Sequence, residues 1–299
     1  MNRSAHKKEK IRLLMLQGGG DILLATPAIR AMKNENPDAR IIVYVLFDIF
    51  RDILKHNPYI DDIRSTRFIE NPLEFIKYKL SKGRFYVPVF TRSLYAYRLH
   101  ATEMMGQIMD TEVTDKQIEV HLTQGETEAA QQRLADYDNT VAINITSRCS
   151  VNQMWTIDKW NRLVKEMPDH TFVQLGLGDE QLVEGAVDLR GKTDVRQAMA
   201  IVNACDKFVG VDSFLAHVSS AVHTPGVVLF GDSSPGIFGH ANNINISKNL
   251  PCAPCNEFLD GKSCPYNIEC MTSIEVDEVK SALLSLETNE VSVSPTSLA

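Results

Sequence analysis

Large aromatic side chains are scarce in this sequence: tryptophan occurs twice, and Phe, Trp and Tyr together make up 7% of 299 residues. Glycine (16) and proline (12) are few and nowhere periodic, which excludes collagen-like and low-complexity chains. No stretch approaches the ~20 apolar residues of a membrane span. The charged start Met1–Lys10 runs directly into Ile11–Leu16, too short for a signal h-region and without a small-residue cleavage site. The expected compartment is therefore the cytoplasm, where the six cysteines start out reduced, with peripheral membrane association at most. Positive charge is in deficit: 31 basic against 38 acidic side chains give a net −7, which argues against non-specific nucleic-acid coating.

Two nucleotide-binding fingerprints each fail by one residue. Gly18-Gly19-Gly20-Asp21-Ile22-Leu23 carries leucine where a dinucleotide-binding turn needs its third glycine. Gly191-Lys192-Thr193 resembles the end of a phosphate loop, but Ala186 stands where its first glycine belongs. Neither a nicotinamide dehydrogenase nor a P-loop ATPase is supported.

What is present is an ordinary globular chain, 44% apolar and 23% charged, long enough for two domains. Residues 1–125 carry 19 basic and 15 acidic side chains, whereas 126–299 carry 12 and 23, so the first half alone hints at an anionic partner. Strand patterns at Ile11–Gln17, Arg40–Leu46, Phe85–Phe90 and Ile118–Leu122 alternate with helical spacing over Ile22–Asn36 and Leu94–Met109. After the polar helix Glu126–Tyr137 the alternation is more regular. Strands are predicted at Val141–Ile145, Thr171–Leu175, Lys207–Val211 and Val227–Phe230, with helices at Ile157–Glu166, Asp194–Ala204, Ser213–Val222 and Val276–Leu286. Residues 287–299 read as a frayed tail. The pattern implies an α/β chain with two mostly parallel sheets, split at 125/126, and ligands at the carboxyl ends of the strands.

Three local features carry chemistry. Asp21 follows the three glycines at a helix entrance; an ordinary first-turn or capping aspartate is the plain reading, and a reactive carboxylate the sharper one. Val209 to His217 reads strand, then Asp212 and Ser213 at the next helix start. The free N–H groups of Ser213 and Phe214 there suit a diphosphate, and a capping box with a solvent-facing histidine is the plain alternative. Cys252, Cys255, Cys264 and Cys270 gather in a loop poor in large apolar residues. Four such thiolates can close around a structural zinc or iron, or remain four reduced or paired thiols; Cys149 and Cys205 are isolated. Arginines among aromatics in Arg84–Arg98, including Arg92 and Arg98, suit an anionic acceptor or simply a strand and helix core.

Gly20-Asp21-Ile22-Leu23-Leu24-Ala25-Thr26-Pro27-Ala28-Ile29-Arg30 resembles the N-terminal motif of glycosyltransferase family 9, the heptosyltransferases. Asp188–Thr193, Gly210–His217 and Thr224–Gly231 resemble its donor-domain signature in the same order. The resemblance implies a GT-B architecture: two Rossmann-like domains facing across a cleft, the acceptor on 1–125 and the nucleotide-sugar on 126–299. It implies an inverting transfer from ADP-heptose or a related nucleotide-diphosphate sugar to a saccharide, lipopolysaccharide-core or protein hydroxyl, with no catalytic metal. Asp21 falls on the general base, with Gly19, Gly20, Arg92 and Arg98 expected on the acceptor side. Thr146, Ser147, Arg148, Glu180, Asp212, Ser213, Phe214 and His217 fall on the donor site. Some relatives hold iron in a similar cysteine-rich loop. Two departures stand out: Gln153 replaces the lysine two residues before Trp155, and Phe214 replaces a glycine. Rival readings are a non-catalytic sugar-nucleotide binding module and a transferase acting on nucleic acid.

Overall fold

The computed structural model describes residues 9–66, 83–90, 99–255 and 264–288. The chain forms two compact units, Met1–Gln124 and Gly125–Ala299.

In the first unit, β1 (Lys10–Met15), β2 (Arg40–Val45), β3 (Asp62–Ser65) and β4 (Arg84–Tyr86) form a parallel sheet in the order β3-β2-β1-β4. Five successive residues are buried in both β1 and β2, as expected of parallel strands covered on both faces. The predicted helix Ile22–Asn36 is two helices, α1 (Gly19–Leu24) and α2 (Thr26–Glu35). Pro27 has no N–H to give to the Leu23 carbonyl, and the Thr26 hydroxyl takes that carbonyl instead at 2.6 Å. Ala25, Ala28, Ile29 and Met32 then form the buried stripe of α2.

After the short helix α3 (Ile49–Ile53), the next described helix is α4 (Ala101–Ile108). Its first turn begins at Ala101, where the extended His100 caps it, its ring nitrogen accepting from Thr102 N–H at 3.3 Å. Positions 94–98 of that expected helix lie outside the described residues. Ile118–Leu122 is not a strand. Arg30 of α2 holds this segment by the carbonyls of Asp115 (3.0 Å) and Gln117 (3.1 Å) and by the Glu119 carboxylate, while Glu119 N–H donates to Thr26 Oγ1 (3.0 Å). A helix satisfies its polar groups where a sheet edge was expected.

The second unit opens with α5 (Gln124–Leu134) and carries β5 (Thr140–Asn144), β6 (Thr171–Gln174), β7 (Val187–Asp188), β8 (Lys207–Val211), β9 (Gly226–Phe230) and β10 (Asn243–Ser247). The order is β10-β9-β8-β5-β6-β7, all parallel. Helices α6 (Ile157–Lys165), α7 (Val195–Ala204), α8 (Phe214–Ala221) and the short α9 (Pro235–Phe238) connect them. Two C-terminal helices, α10 (Glu269–Thr272) and α11 (Val276–Thr288), send Met271, Ile274, Val276, Val279 and Leu283 into the same core as Trp155, Trp160 and Phe172. Trp160 is fully buried. Trp155 packs edge-on against it, centroids 4.7 Å apart, and its indole N–H donates to Ile274 O at 3.0 Å. Among the described residues no helix is long and apolar enough to cross a membrane. α11 extends past the point where the tail was expected to begin, and residues 289–299 lie outside the described set.

Candidate functional site

Chemistry-bearing residues gather just beyond the carboxyl ends of strands in each unit, where a parallel α/β sheet leaves room for a ligand. In the first unit, β1 leads through Leu16–Gly18 into α1, and Asp21 is the third residue of that helix. Its Oδ2 accepts from the Gly18 N–H at 3.2 Å, so it is indeed a first-turn acid. Its protonation sets it apart: burial, outweighing that hydrogen bond, pushes the carboxyl up to about 6. Gly19 and Gly20 are the first two residues of α1. Arg92 and Arg98 lie outside the described residues.

The second unit assembles more. Asp212 follows β8, is buried, and has its N–H on Leu229 O at 3.1 Å. Its Oδ2 accepts from Ser233 Oγ at 2.6 Å and from Gln153 Nε2 at 3.5 Å, and Gln153 Nε2 also donates to Ser233 Oγ at 3.2 Å. Beside them Ser150 Oγ donates to Asp232, whose carboxyl is pushed upward by burial against the pull of the Ser150 and Gln153 hydrogen bonds. Ser213 is the N-cap of α8 by position, but its hydroxyl donates to Asn144 Oδ1 at 2.6 Å, at the end of β5, and makes no cap bond. The capping-box reading therefore fails, and so does the solvent-facing histidine. His217 is buried, with Nε2 3.9 Å from Asp212 Oδ1 and Nδ1 2.8 Å from His240 Nε2. Phe214, half-buried, is the first residue of α8.

Thr146, Ser147 and Arg148 form the turn after β5. Arg148 is exposed and pairs with Asp179 at 3.3 Å. Glu180 lies in the turn after β6, its Oε1 accepting from Leu177 N–H at 2.8 Å. Gly176 there has φ +150°, and a Cβ on it would collide with the Glu180 carboxylate. The Asp188–Thr193 motif fastens this turn. Arg190 donates to the Glu180 carbonyl, Gly191 N–H donates to Gly176 O at 2.8 Å, and Asp188 is gripped by Arg190 (2.7 Å) and Lys192 (2.9 Å), which hold its carboxyl well below the usual range. Gln153 Oε1, Asp232 Oδ1 and Glu180 Oε2 are buried oxygens with no hydrogen-bond partner, acceptors to which a ligand's hydroxyls can donate.

Sequence reasoning missed Asn144, Ser150, Asp232, Ser233 and His240. The polar run Asp232-Ser233-Ser234 directly after β9 was the available signal, being at a strand's carboxyl end like Asp212.

Cys252, Cys255, Cys264 and Cys270 line one cavity of about 200 Å³ together with Pro265, Tyr266 and Glu269. All six cysteines are free. Burial, then the neighbouring Cys255 and Cys264, push the Cys270 thiol up to about 11, and Cys255 is raised for similar reasons. Four soft sulfur donors around one cavity are the right kind of set for zinc or iron. Among the described residues, no three His, Cys, Asp or Glu side chains are yet drawn into a metal cage. Cys149 is exposed and Cys205 buried, its thiol pushed up to about 12 by burial.

Two parallel α/β units, each with its polar residues at the strand ends, match the fold of GT-B glycosyltransferase structures. The chain belongs to glycosyltransferase family 9 (heptosyltransferase), whose profile matches residues 99–264. It is similar to lipopolysaccharide heptosyltransferase 3 of Escherichia coli (strain K12), 24% identical over 275 residues that span 71% of this chain and 79% of that protein. Among solved structures it is similar to the glycosyl transferase family 9 from Veillonella parvula DSM 2008, with TM-score 0.74 and 18% identity over 94% of this chain and 98% of that one. It is also similar to the dodecameric iron-containing heptosyltransferase TibC in complex with ADP-D-beta-D-heptose, a protein of enterotoxigenic E. coli H10407. That pair has TM-score 0.70 and 14% identity over 96% of this chain and 81% of the other.

Proposed function

We propose that this glycosyltransferase is an inverting heptosyltransferase that moves heptose from ADP-heptose to a hydroxyl of a lipopolysaccharide-type saccharide. The observation that carries the reading is Asp21, a carboxylate at a strand's carboxyl end whose pKa of about 6 suits a general base near neutral pH. Support for donor and acceptor comes from the relatives, one a lipopolysaccharide heptosyltransferase and one solved with ADP-D-beta-D-heptose.

Asp21 takes the proton of the acceptor hydroxyl as its oxygen attacks the anomeric carbon. The bond to the diphosphate breaks on the opposite face and the diphosphate leaves with the electron pair. The Ser213 and Phe214 backbone N–H groups and His217 receive the developing charge. Asp212 and the unpartnered Glu180 oxygen are acceptors suited to sugar and ribose hydroxyls. Gln153 is a neutral amide between Asp212 and Ser233, so it adds no charge for the leaving group. Arg148, exposed beside Asp179, is the cation available to approach a bound diphosphate. The four-cysteine cavity would hold a structural zinc or iron that fixes the loop before α10, a reading supported by the iron-containing relative. The free thiols suit a reducing compartment, and we place the reaction in the cytoplasm.

The test is incubation with ADP-heptose and a heptose-deficient core oligosaccharide, following ADP release and transfer by mass spectrometry, with calorimetry of ADP in parallel. Transfer with inversion supports the reading. ADP binding without turnover would make the chain a binding module, and failure to bind ADP would overturn the donor assignment.

A further inference from the structure

His240 lies outside every motif that marked the donor site, yet its imidazole meets that of His217. The two rings are buried and nearly perpendicular, at 85°, with His217 Nδ1 2.8 Å from His240 Nε2. Ala216, Val228, Phe230 and Phe238 line the same recess and shield the contact from water. The backbone of His240 is fixed too, its carbonyl accepting from Asn243 N–H (3.2 Å) and Asn245 Nδ2 (3.1 Å).

A nitrogen–nitrogen contact of this length holds one proton: two lone pairs or two N–H groups facing each other would repel. On the far side of the His217 ring, Nε2 is 3.9 Å from the Asp212 carboxylate, which only accepts when ionised. That favours the His217 tautomer with its proton on Nε2, leaving Nδ1 as a lone pair. With His217 neutral, His240 is then the donor, through Nε2–H.

We propose that His240 is a positioning residue: by donating to His217 Nδ1 it locks the tautomer in which His217 offers an N–H from Nε2 beside Asp212, where a donor oxygen would be held. The chain runs from His240 through His217 to the Asp212 side of the pocket. The ligand it serves is an anionic or hydroxyl oxygen of a nucleoside diphosphate-sugar, and in this the proposal rests on the donor reading given above.

The tautomer is read without any substrate from long-range proton–nitrogen correlation spectra of protein carrying 15N-histidine, with His217 assigned by His217→Gln. Wild type is expected to show His217 protonated at Nε2 alone. His240→Leu should mix or reverse that pattern and weaken ADP binding about tenfold, the order that one hydrogen bond supplies. His240→Gln, whose amide N–H can take the place of the imidazole donor, should restore both the pattern and most of the affinity. A wild-type His217 protonated at Nδ1, an unchanged His217 spectrum in His240→Leu, or a His240→Gln protein as impaired as the leucine variant would each overturn the proposal. If His240→Leu does not fold, the wild-type spectrum and the glutamine variant decide. Wild type that binds no ADP would remove the donor reading and leave the tautomer result standing on its own.

Discussion

Asp21 and Asp212 both sit just past the carboxyl end of a parallel strand, and their surroundings are opposite in kind. Asp21 has a backbone N–H on its carboxylate and burial that raises it to about 6. Asp212 is buried among a serine hydroxyl, a glutamine amide and a histidine ring, each supplied by a different segment of the chain. A group that must take a proton from a substrate needs basicity and few competing donors. A group that must hold a substrate in one pose needs neighbours that fix its own rotamer. The first kind can be built from one turn; the second needs four segments to converge.

The largest expected effect breaks the comparison at Asp21. Asp21→Asn should lower the transfer rate by at least about a hundredfold while leaving ADP affinity unchanged in calorimetry. In the parent protein, kcat/KM should fall as pH drops through about 6, where Asp21 takes up a proton. Near-normal turnover of the asparagine variant would move the base elsewhere.

The same substitution should also change stability. Because folding raises the Asp21 pKa from 3.8 to about 6, the fold favours the protonated carboxyl. The contribution is fully present below about pH 4 and is lost as pH rises through about 6. Above that, Asp21→Asn should be the more stable protein by about 1–2 kcal/mol, after allowing for the partial exposure of the site. Thermal melts at pH 4 and pH 8 would show it, and an equal difference at both would contradict it.

His217→Ala should weaken ADP binding about tenfold, with the Asp21-dependent limb of the pH profile unmoved. Unchanged affinity would relocate the donor site. The smallest effect on the comparison is expected from Cys255→Ser. About one zinc or iron per chain should be lost from anaerobically purified protein, and the melting temperature should fall by a few degrees. The Asp21 pH limb should stay where it was. Metal-free parent protein with four titratable thiols would make the cluster a plain cysteine-rich loop.

Strands β5, β6, β8 and β9 and the longer helices of the second unit could be read almost residue by residue because these strands are mostly apolar runs between turn residues, Gly226–Phe230 being the clearest case. β3, β7 and β10 were not legible: Asp62–Ser65 and Asn243–Ser247 are short and polar, and Val187–Asp188 is two residues long. Ile118 looked like part of a strand because it is apolar and fully buried, but burial against a helix leaves the same mark in sequence as burial in a sheet. At the site, Asp21, Asp212, Ser213 and His217 announced themselves by standing at the junction of a strand and a helix. Ser150, Asp232, Ser233 and His240 did not, since their meeting depends on contacts that span 21 to 82 positions, which local pattern does not encode.

The edge-on tryptophan pair has a spectroscopic consequence. Trp155 and Trp160 are the only indoles in the chain, and both lie in the core of the second unit. Emission excited at wavelengths that tyrosine does not absorb therefore reports that unit alone, whereas far-ultraviolet ellipticity reports helices of both. In a denaturant titration the two signals coincide only if the units melt together, so their separation measures the independence of the halves without any label.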